Sequence, residues 1–285
     1  MADIAKVTYY QLSGLSVEIA DRLLVFDYWE GSGANALPQP TRITAEELKR
    51  FRQVLVFVSQ NNPEHFDPVI YTWNHADLPI TYVIADELPA GLAGHRMKPS
   101  DSLTVDGVEI TAYDSTDDGV SYYVTAGGLN IFHAGGLNLW HWREESSLRE
   151  IARAEEEFYA AMEPLKRLPM DVAMFPVDPR MGGLYDAGAN HFVMTVKPWV
   201  FIPMHWQDRP EVAFTFARTG RTRYTEVVAL TKPRETAVIT FDVYELHVQI
   251  EAPEKFIPPG SAQGSLKEDD KNDPFSGTDL PVEDL

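Results

Sequence analysis

Short apolar runs punctuated by turn residues fill the first third of the chain. Residues 7–12, 17–20 and 23–28 read as strands, separated by Gly14 and by the Asp21-Arg22 pair. A loop rich in Gly, Ala and Pro covers 31–40. Thr44 is then placed to cap a helix running to about residue 51, and Glu47, three positions on, completes the pattern of a capping box. Residues 54–58 are apolar without a break, as expected of a strand covered on both faces. A polar loop over 59–64 leads to Asp67 and Pro68, which open a helix through residue 73.

The middle of the chain is again strand-like, over 81–84, 108–113, 121–125 and 130–133, with Gly107 and Gly127-Gly128 as hairpin turns. The longest helical pattern is 146–166, where Ile151, Ala154, Phe158 and Met162 share an apolar face and Arg153 with Glu155 to Glu157 form a charged one. Strands over 171–175 and 199–203 enclose a helix within 184–197. A further helix spans 211–217, and strands over 226–230, 237–241 and 244–250 follow. From residue 253 the composition turns to Pro, Gly, Ser and acidic residues, which marks 253–285 as a tail beside a single 1–252 domain. Strands then helices, twice over, predict an α+β fold of two mixed sheets packed together with helices outside, a four-layer αββα sandwich.

Composition narrows the function. The chain lacks cysteine, so disulfides, thiolate metal sites and cysteine nucleophiles are excluded. No apolar stretch approaches the roughly 20 residues of a membrane span. The first residues lack the basic and apolar segments of a secretory signal, so a cytoplasmic protein with no membrane partner is expected. With 43 acidic and 24 basic residues the net charge is −19, which argues against a nucleic-acid partner. The one dense basic stretch, Arg218, Arg221 and Arg223, reads as a solvated helix end followed by a turn. A small-molecule ligand or substrate is the expected partner, and the tail, as an arm, suits a homo-oligomer.

Several segments carry candidate chemistry, in a fixed order. Gly14-Leu15-Ser16-Val17-Glu18-Ile19 and Leu24-Val25-Phe26-Asp27-Tyr28 open the series. Ser59-Gln60-Asn61-Asn62-Pro63-Glu64-His65-Phe66 follows an apolar strand. Ser115-Thr116-Asp117-Asp118-Gly119, Ile131-Phe132-His133-Ala134-Gly135-Gly136 and Ile202-Pro203-Met204-His205 complete it. Together, over about residues 5–250, they resemble the metallo-β-lactamase superfamily, in its branch of small metal-dependent hydrolases with an L-ascorbate-6-phosphate-lactonase-like domain. The resemblance implies the αββα fold and a cleft holding two metals. In the family a strand leads into His-x-His-x-Asp-His, a Gly-Asp pair supplies the carboxylate that bridges the metals, and a late strand ends in a metal histidine.

The departures are concentrated at that centre. Gln60 and Asn62 stand where the family has two histidines of the first metal, and no histidine lies at 115–118 for the third. Gly136 replaces the bridging carboxylate, and Glu64 replaces the aspartate of the second metal, whose histidines match His65 and His205. Neutral amide oxygens are weak zinc ligands, and a two-metal mechanism needs its two cations held close together. The expectation is therefore a metal-free or catalytically altered homologue, without cofactor, that binds a small molecule or partner in the old cleft. The alternative is a hydrolase of an ester, lactone or phosphoester using a single zinc, manganese or iron ion on Glu64, His65 and His205. Glu64, His65 and Asp117 are the candidate catalytic residues, while Gln60, Asn62, His133, Trp140 and Tyr185 are expected to line the binding site. Asp178 and Arg180 are expected to form a buried ion pair bracing the cleft, with Asp27 a structural acceptor beneath it.

Overall fold

The computed structural model describes residues 3–74, 78, 80–142, 145–242 and 246–252; the expected tail at 253–285 and the start of the strand expected at 244–250 lie outside them. In chain order the strands are β1 (Asp3–Gln11), β2 (Gly14–Ile19), β3 (Arg22–Phe26), β4 (Gln53–Val58), β5 (Ile80–Ala85) and β6 (His95–Met97). Then come β7 (Ser102–Val105), β8 (Val108–Tyr113), β9 (Ser121–Ala126), β10 (Leu129–His133), β11 (Val172–Pro176), β12 (Val200–Met204) and β13 (Glu226–Val227). Strands β14 (Thr236–Phe241) and β15 (Leu246–Glu251) follow. The helices are α1 (Ala45–Leu48), α2 (Leu148–Leu165), α3 (Ala187–Val196) and α4 (Pro210–Thr219).

Two mixed sheets result, in the orders β15-β14-β1-β2-β3-β4-β5-β6 and β13-β12-β11-β10-β9-β8-β7. In the first, β1 pairs antiparallel with both β2 and β14, while β3, β4, β5 and β6 run parallel. In the second, β10 to β13 run parallel and β7 to β10 antiparallel. Strand β4 is buried along its whole length, which is why its sequence shows no polar alternation. Its Phe57 stacks on Phe26 of β3, with ring centroids 4.6 Å apart. Tyr122 of β9 crosses from one sheet to the other and donates its hydroxyl to Val58 O at 3.0 Å. The parallel strands β3 and β4 of one sheet and β11 and β12 of the other deliver their carboxyl ends to a shared cleft, where α/β sheets place ligands.

Where local signals decide, sequence and structure agree. Ser147 and Glu150 close a reciprocal capping box at the start of α2. Asp67 caps a 3-10 helix over Pro68–Trp73 at the place where a helix is expected. Helix α1, however, is four residues long rather than reaching residue 51. Thr44 accepts from Glu47 N, but the Glu47 carboxylate is drawn away to Arg234, at 2.6 and 2.7 Å. Arg234 also donates to Thr41 O and Arg42 O and lies over the Tyr10 ring at 5.0 Å, so one buried guanidinium binds the 41–47 segment to the start of β14. The strand expected at 226–230 contracts to the two residues of β13, and β6 and β7 are short strands that the apolar pattern does not reveal.

Arg234→Met should therefore destabilise the domain by about 1–3 kcal/mol in urea unfolding, because the half-buried Glu47 loses its two short contacts and keeps only Arg50, 3.9 Å away. The double variant Arg234→Met/Glu47→Leu should recover part of that loss.

Candidate functional site

Asp27 follows β3 in a left-handed conformation, φ 43°, and is fully buried. Its carboxylate accepts from Ser59 N at 2.7 Å, Ser59 Oγ at 2.6 Å and His65 Nδ1–H at 2.7 Å. Burial works against its charge, but the nearby His65 and His133 and these hydrogen bonds prevail and hold its pKa below the usual carboxylate value. A second pair mirrors this one. Asp178, after β11, accepts from His205 Nδ1–H at 2.9 Å. It is also gripped by Arg180, with Nε at 3.0 Å from each oxygen. Burial again opposes the charge, and the His205 and Arg180 hydrogen bonds outweigh it, so that Asp178 titrates at about 2.

Because each Nδ1 is committed to an aspartate, each imidazole presents its Nε2 edge away from that aspartate. His65 and His205 stack with centroids 5.4 Å apart. His205 Nε2 lies 3.2 Å from Glu64 Oε2 in a poorly aligned geometry, and it has no hydrogen-bond partner. Burial disfavours the charged form of His205, but Asp178 and Glu64 together raise its pKa above the ordinary value. His205 in turn lowers that of Glu64.

These groups line a cleft of about 390 Å³, together with Gln60, Asn62 and Asp117. Its mouth is formed by Trp140 and Trp142, whose rings lie parallel at 6.0 Å, and by Arg180. Trp140 is fixed by a 2.8 Å hydrogen bond from its indole N–H to Gly136 O. A Cβ at Gly136 would overlap Gln60 Oε1 and lie 2.9 Å from Asp117 Cβ, so the Gln60 amide fills the space a side chain at 136 would need. Gln60 Oε1 is itself buried without a partner. Leu12, His205 and Gln207 share the left-handed backbone of Asp27, with φ of 50°, 60° and 57°. Such non-glycine strain costs on the order of 1–3 kcal/mol each and collects at functional sites.

Gln60, Asn62, Glu64, His65, Asp117, Trp140 and His205 are thus brought together as expected. Two candidates are not. His133 is fully buried beneath the cleft, stacked on Phe26 at 5.0 Å, with Nε2–H donating to Ser13 O and Nδ1 accepting from Gly135 N, so it cannot touch a ligand. Tyr185 lines a separate depression with Pro179 and Arg209, because Gly182, at φ 61°, turns the chain away from the cleft. Asp27 is the structural acceptor anticipated, its two oxygens engaged by Ser59 and His65, which leaves it no role as a base toward substrate. Arg180 braces the cleft but is only half-buried, so its guanidinium also forms part of the ligand surface. Among the described residues no group of three or more His, Cys, Asp or Glu is placed to hold a metal ion. None of their helices is long and apolar enough to cross a membrane.

No family model and no curated protein matches the sequence. Solved structures do match. The chain is similar to Igni18, a metallo hydrolase from the hyperthermophilic archaeon Ignicoccus hospitalis, with a TM-score of 0.59 and 18% identity over 84% of this chain and 99% of that one. It is similar to the metallo-β-lactamase fold protein YhfI from Bacillus subtilis, with a TM-score of 0.52 and 13% identity over 83% and 99% of the two chains. It also matches CmlA, a diiron β-hydroxylase from Streptomyces venezuelae, with a TM-score of 0.53 and 10% identity over 82% of this chain and 53% of that one. The chain therefore has the metallo-β-lactamase fold. That two of these structures are a hydrolase and a hydroxylase leaves the reaction to be argued from the cleft.

Gly136→Ala should cost about 1–3 kcal/mol by overpacking against Gln60, and Gln60→Ala in the same chain should relieve most of it, as a double-mutant cycle in urea would read out. His133 carries a pH signature. Burial, only partly opposed by Asp27, lowers its pKa from the ordinary 6.5. The unfolded chain takes up this proton below about pH 6.5 while the folded chain does not, so stability falls as the pH drops through that window. His133→Gln should flatten the slope of stability between about pH 6.5 and 5 by up to one proton, about 1.4 kcal/mol per pH unit.

Proposed function

We propose that this is a metallo-β-lactamase-fold, hydrolase-like protein whose cleft has lost the two-metal centre and binds a small molecule without two-metal chemistry. The observation that supports this reading is the packing at Gly136, where the Gln60 amide fills the space that a side chain would need at the position the resemblance gives to the bridging carboxylate. The donor set does not fit two cations: Gln60 and Asn62 offer amides, and without a carboxylate between the metal positions nothing offsets their mutual repulsion. What the cleft retains suits ligand recognition. Its Gln60 amide oxygen is buried and unpartnered, which is costly unless a ligand supplies the missing partner, and His205 Nε2 meets only the ill-aligned Glu64 carboxylate at 3.2 Å. Arg180 adds a fixed cation, and the parallel Trp140 and Trp142 rings add flat apolar surface at the mouth. His65, steadied by Asp27, presents an imidazole edge able to accept or return a proton.

A single metal is the second reading, and the two Asp–His pairs favour it. Carboxylates that fix an imidazole by its Nδ1 are the usual support of a metal-ligating histidine, and Glu64, His65 and His205 are two histidines and a carboxylate by type, although they would have to shift from their present positions to hold an ion. One zinc, manganese or iron ion there would supply a water of lowered pKa for hydrolysis of an ester, lactone or phosphoester.

Metal analysis of untagged protein, purified without chelator and then incubated with zinc, manganese and iron, separates the two. Well under one metal per chain in every case is expected. One equivalent that disappears in His205→Ala or His65→Ala would overturn the metal-free reading in favour of the single-metal hydrolase. A folded triple variant, Gln60→His/Asn62→His/Gly136→Asp, should gain metal relative to the parent.

A further inference from the structure

A cavity of about 690 Å³ shares no lining residue with the cleft. Lys197 and Trp199, after α3, form part of its wall, and the turn leading into β13 forms the rest. The dense basic stretch of the sequence is divided here. Arg218 stays exposed in the last turn of α4. Arg221 and Arg223 are carried to the wall by a turn in which Thr222 Oγ1 accepts from Tyr224 N and Thr225 N, both at 3.1 Å. Arg221 is neutralised by Glu226 at 2.5 Å. Lys197 and Arg223 are not, for neither has a carboxylate partner among the described residues. Both lean on one ring instead, with Lys197 Nζ 5.5 Å and Arg223 Cζ 4.4 Å from the centroid of Tyr224. Lys197 ends α3 in a left-handed conformation, φ 59°, at a position helices usually give to glycine. Trp199 is 53% exposed, and among the described residues no ring or cation covers its face. Thr225, 1% exposed, lines the same cavity with a hydroxyl that has no hydrogen-bond partner.

We propose that this cavity is a second binding site, for a phosphomonoester that carries a flat ring. The inference is independent of what the cleft binds. A chain of net charge −19 repels anions from most of its surface, so an anion is held only where cations locally outnumber carboxylates. Here the described lining has Lys197, Arg221 and Arg223 against Glu226 alone. With Arg221 and Glu226 cancelling, two positive charges remain. A phosphomonoester carries about −1.5 to −2 at neutral pH and matches them, whereas a single carboxylate would leave one uncompensated. Contact with the Tyr224 ring places the two cationic heads without using up their N–H donors, which are suited to phosphate oxygens. The face of Tyr224 is occupied by those cations, so the ligand's flat ring is assigned to the uncovered Trp199. The Thr225 hydroxyl adds a polar group in need of a partner. A cationic ligand would find only Glu226, already paired, and a neutral one would make no use of Lys197 and Arg223.

The test is calorimetric titration of the full chain, stripped of metal, at constant ionic strength with three probes: adenosine 5′-monophosphate, adenosine, which keeps the ring without the phosphate, and ribose 5-phosphate, which keeps the phosphate without the ring. The monophosphate is expected to bind saturably and about tenfold more tightly than either fragment. Lys197→Gln and Arg223→Gln should each weaken it about tenfold, the loss of one charge-assisted hydrogen bond. Trp199→Ala should weaken the monophosphate about tenfold while leaving ribose 5-phosphate unchanged. Arg149→Gln, which removes the same charge from the exposed start of α2, should change nothing. Lys197 and Arg223 are exposed, so their variants decide the matter even where Trp199→Ala fails to fold. No saturable binding, equal affinity for the monophosphate and adenosine, or binding insensitive to the Lys197 and Arg223 substitutions would overturn the proposal. So would an equal loss in Arg149→Gln, which would mark the attraction as one of overall charge.

Discussion

The cleft depends on the satisfaction of two buried carboxylates. Asp27 and Asp178 sit where isolated charges would be expelled, and each is retained because hydrogen-bond donors converge on it. The donors come from separate parts of the chain. Asp27 ties the end of β3 to Ser59 after β4 and to His65 beyond it, and Asp178 ties the end of β11 to His205 after β12. Satisfying the two charges therefore fixes the spacing of four strand ends and the rotation of both imidazoles at once. The left-handed backbone at Asp27 and His205 is sustained by the same bonds.

Much of this was legible in the sequence, wherever the signal was local. The unbroken apolar run of β4, the Gly127-Gly128 turn and the Ser147–Glu150 capping box each depend on neighbours in sequence, and each was found where expected. The length of α1 was not legible, because the partner that claims Glu47 lies 187 residues away. Strands β6 and β7 escaped because they are short and partly exposed. The ordered motifs brought Gln60, Asn62, Glu64, His65 and His205 to one cleft, since strand ends in a known order converge. His133 and Tyr185 failed the same inference for geometric reasons: strand β10 aims one beneath the cleft, and a left-handed glycine turns the other aside.

Charge is distributed unevenly around the site. The cleft mixes Arg180 and His205 with Glu64 and Asp117, and Glu64 has Arg180 at 3.7 Å and His205 at 3.2 Å. The basic stretch near residue 220 takes no part in it. Its Arg221 pairs with Glu226, and its Arg223 lies over the Tyr224 ring at 4.4 Å. A strongly acidic protein thus holds these cations against internal partners, and the cations of the cleft are those that pair with Glu64 and Asp178.

The pairing of β1 with β14 has a kinetic meaning. Residues 3–8 find their partners at 236–241, so one long edge of the first sheet stays open until nearly all of the domain has been synthesised. At roughly 5–20 residues per second, that wait on the ribosome is on the order of ten to fifty seconds. During it the apolar strand β1 exposes unpaired backbone, and the hairpin of β1 and β2 must remain soluble without its neighbour. Maturation of the chain is thereby governed by its last strands, and any truncation before residue 236 would leave a sheet edge ready to pair with another molecule.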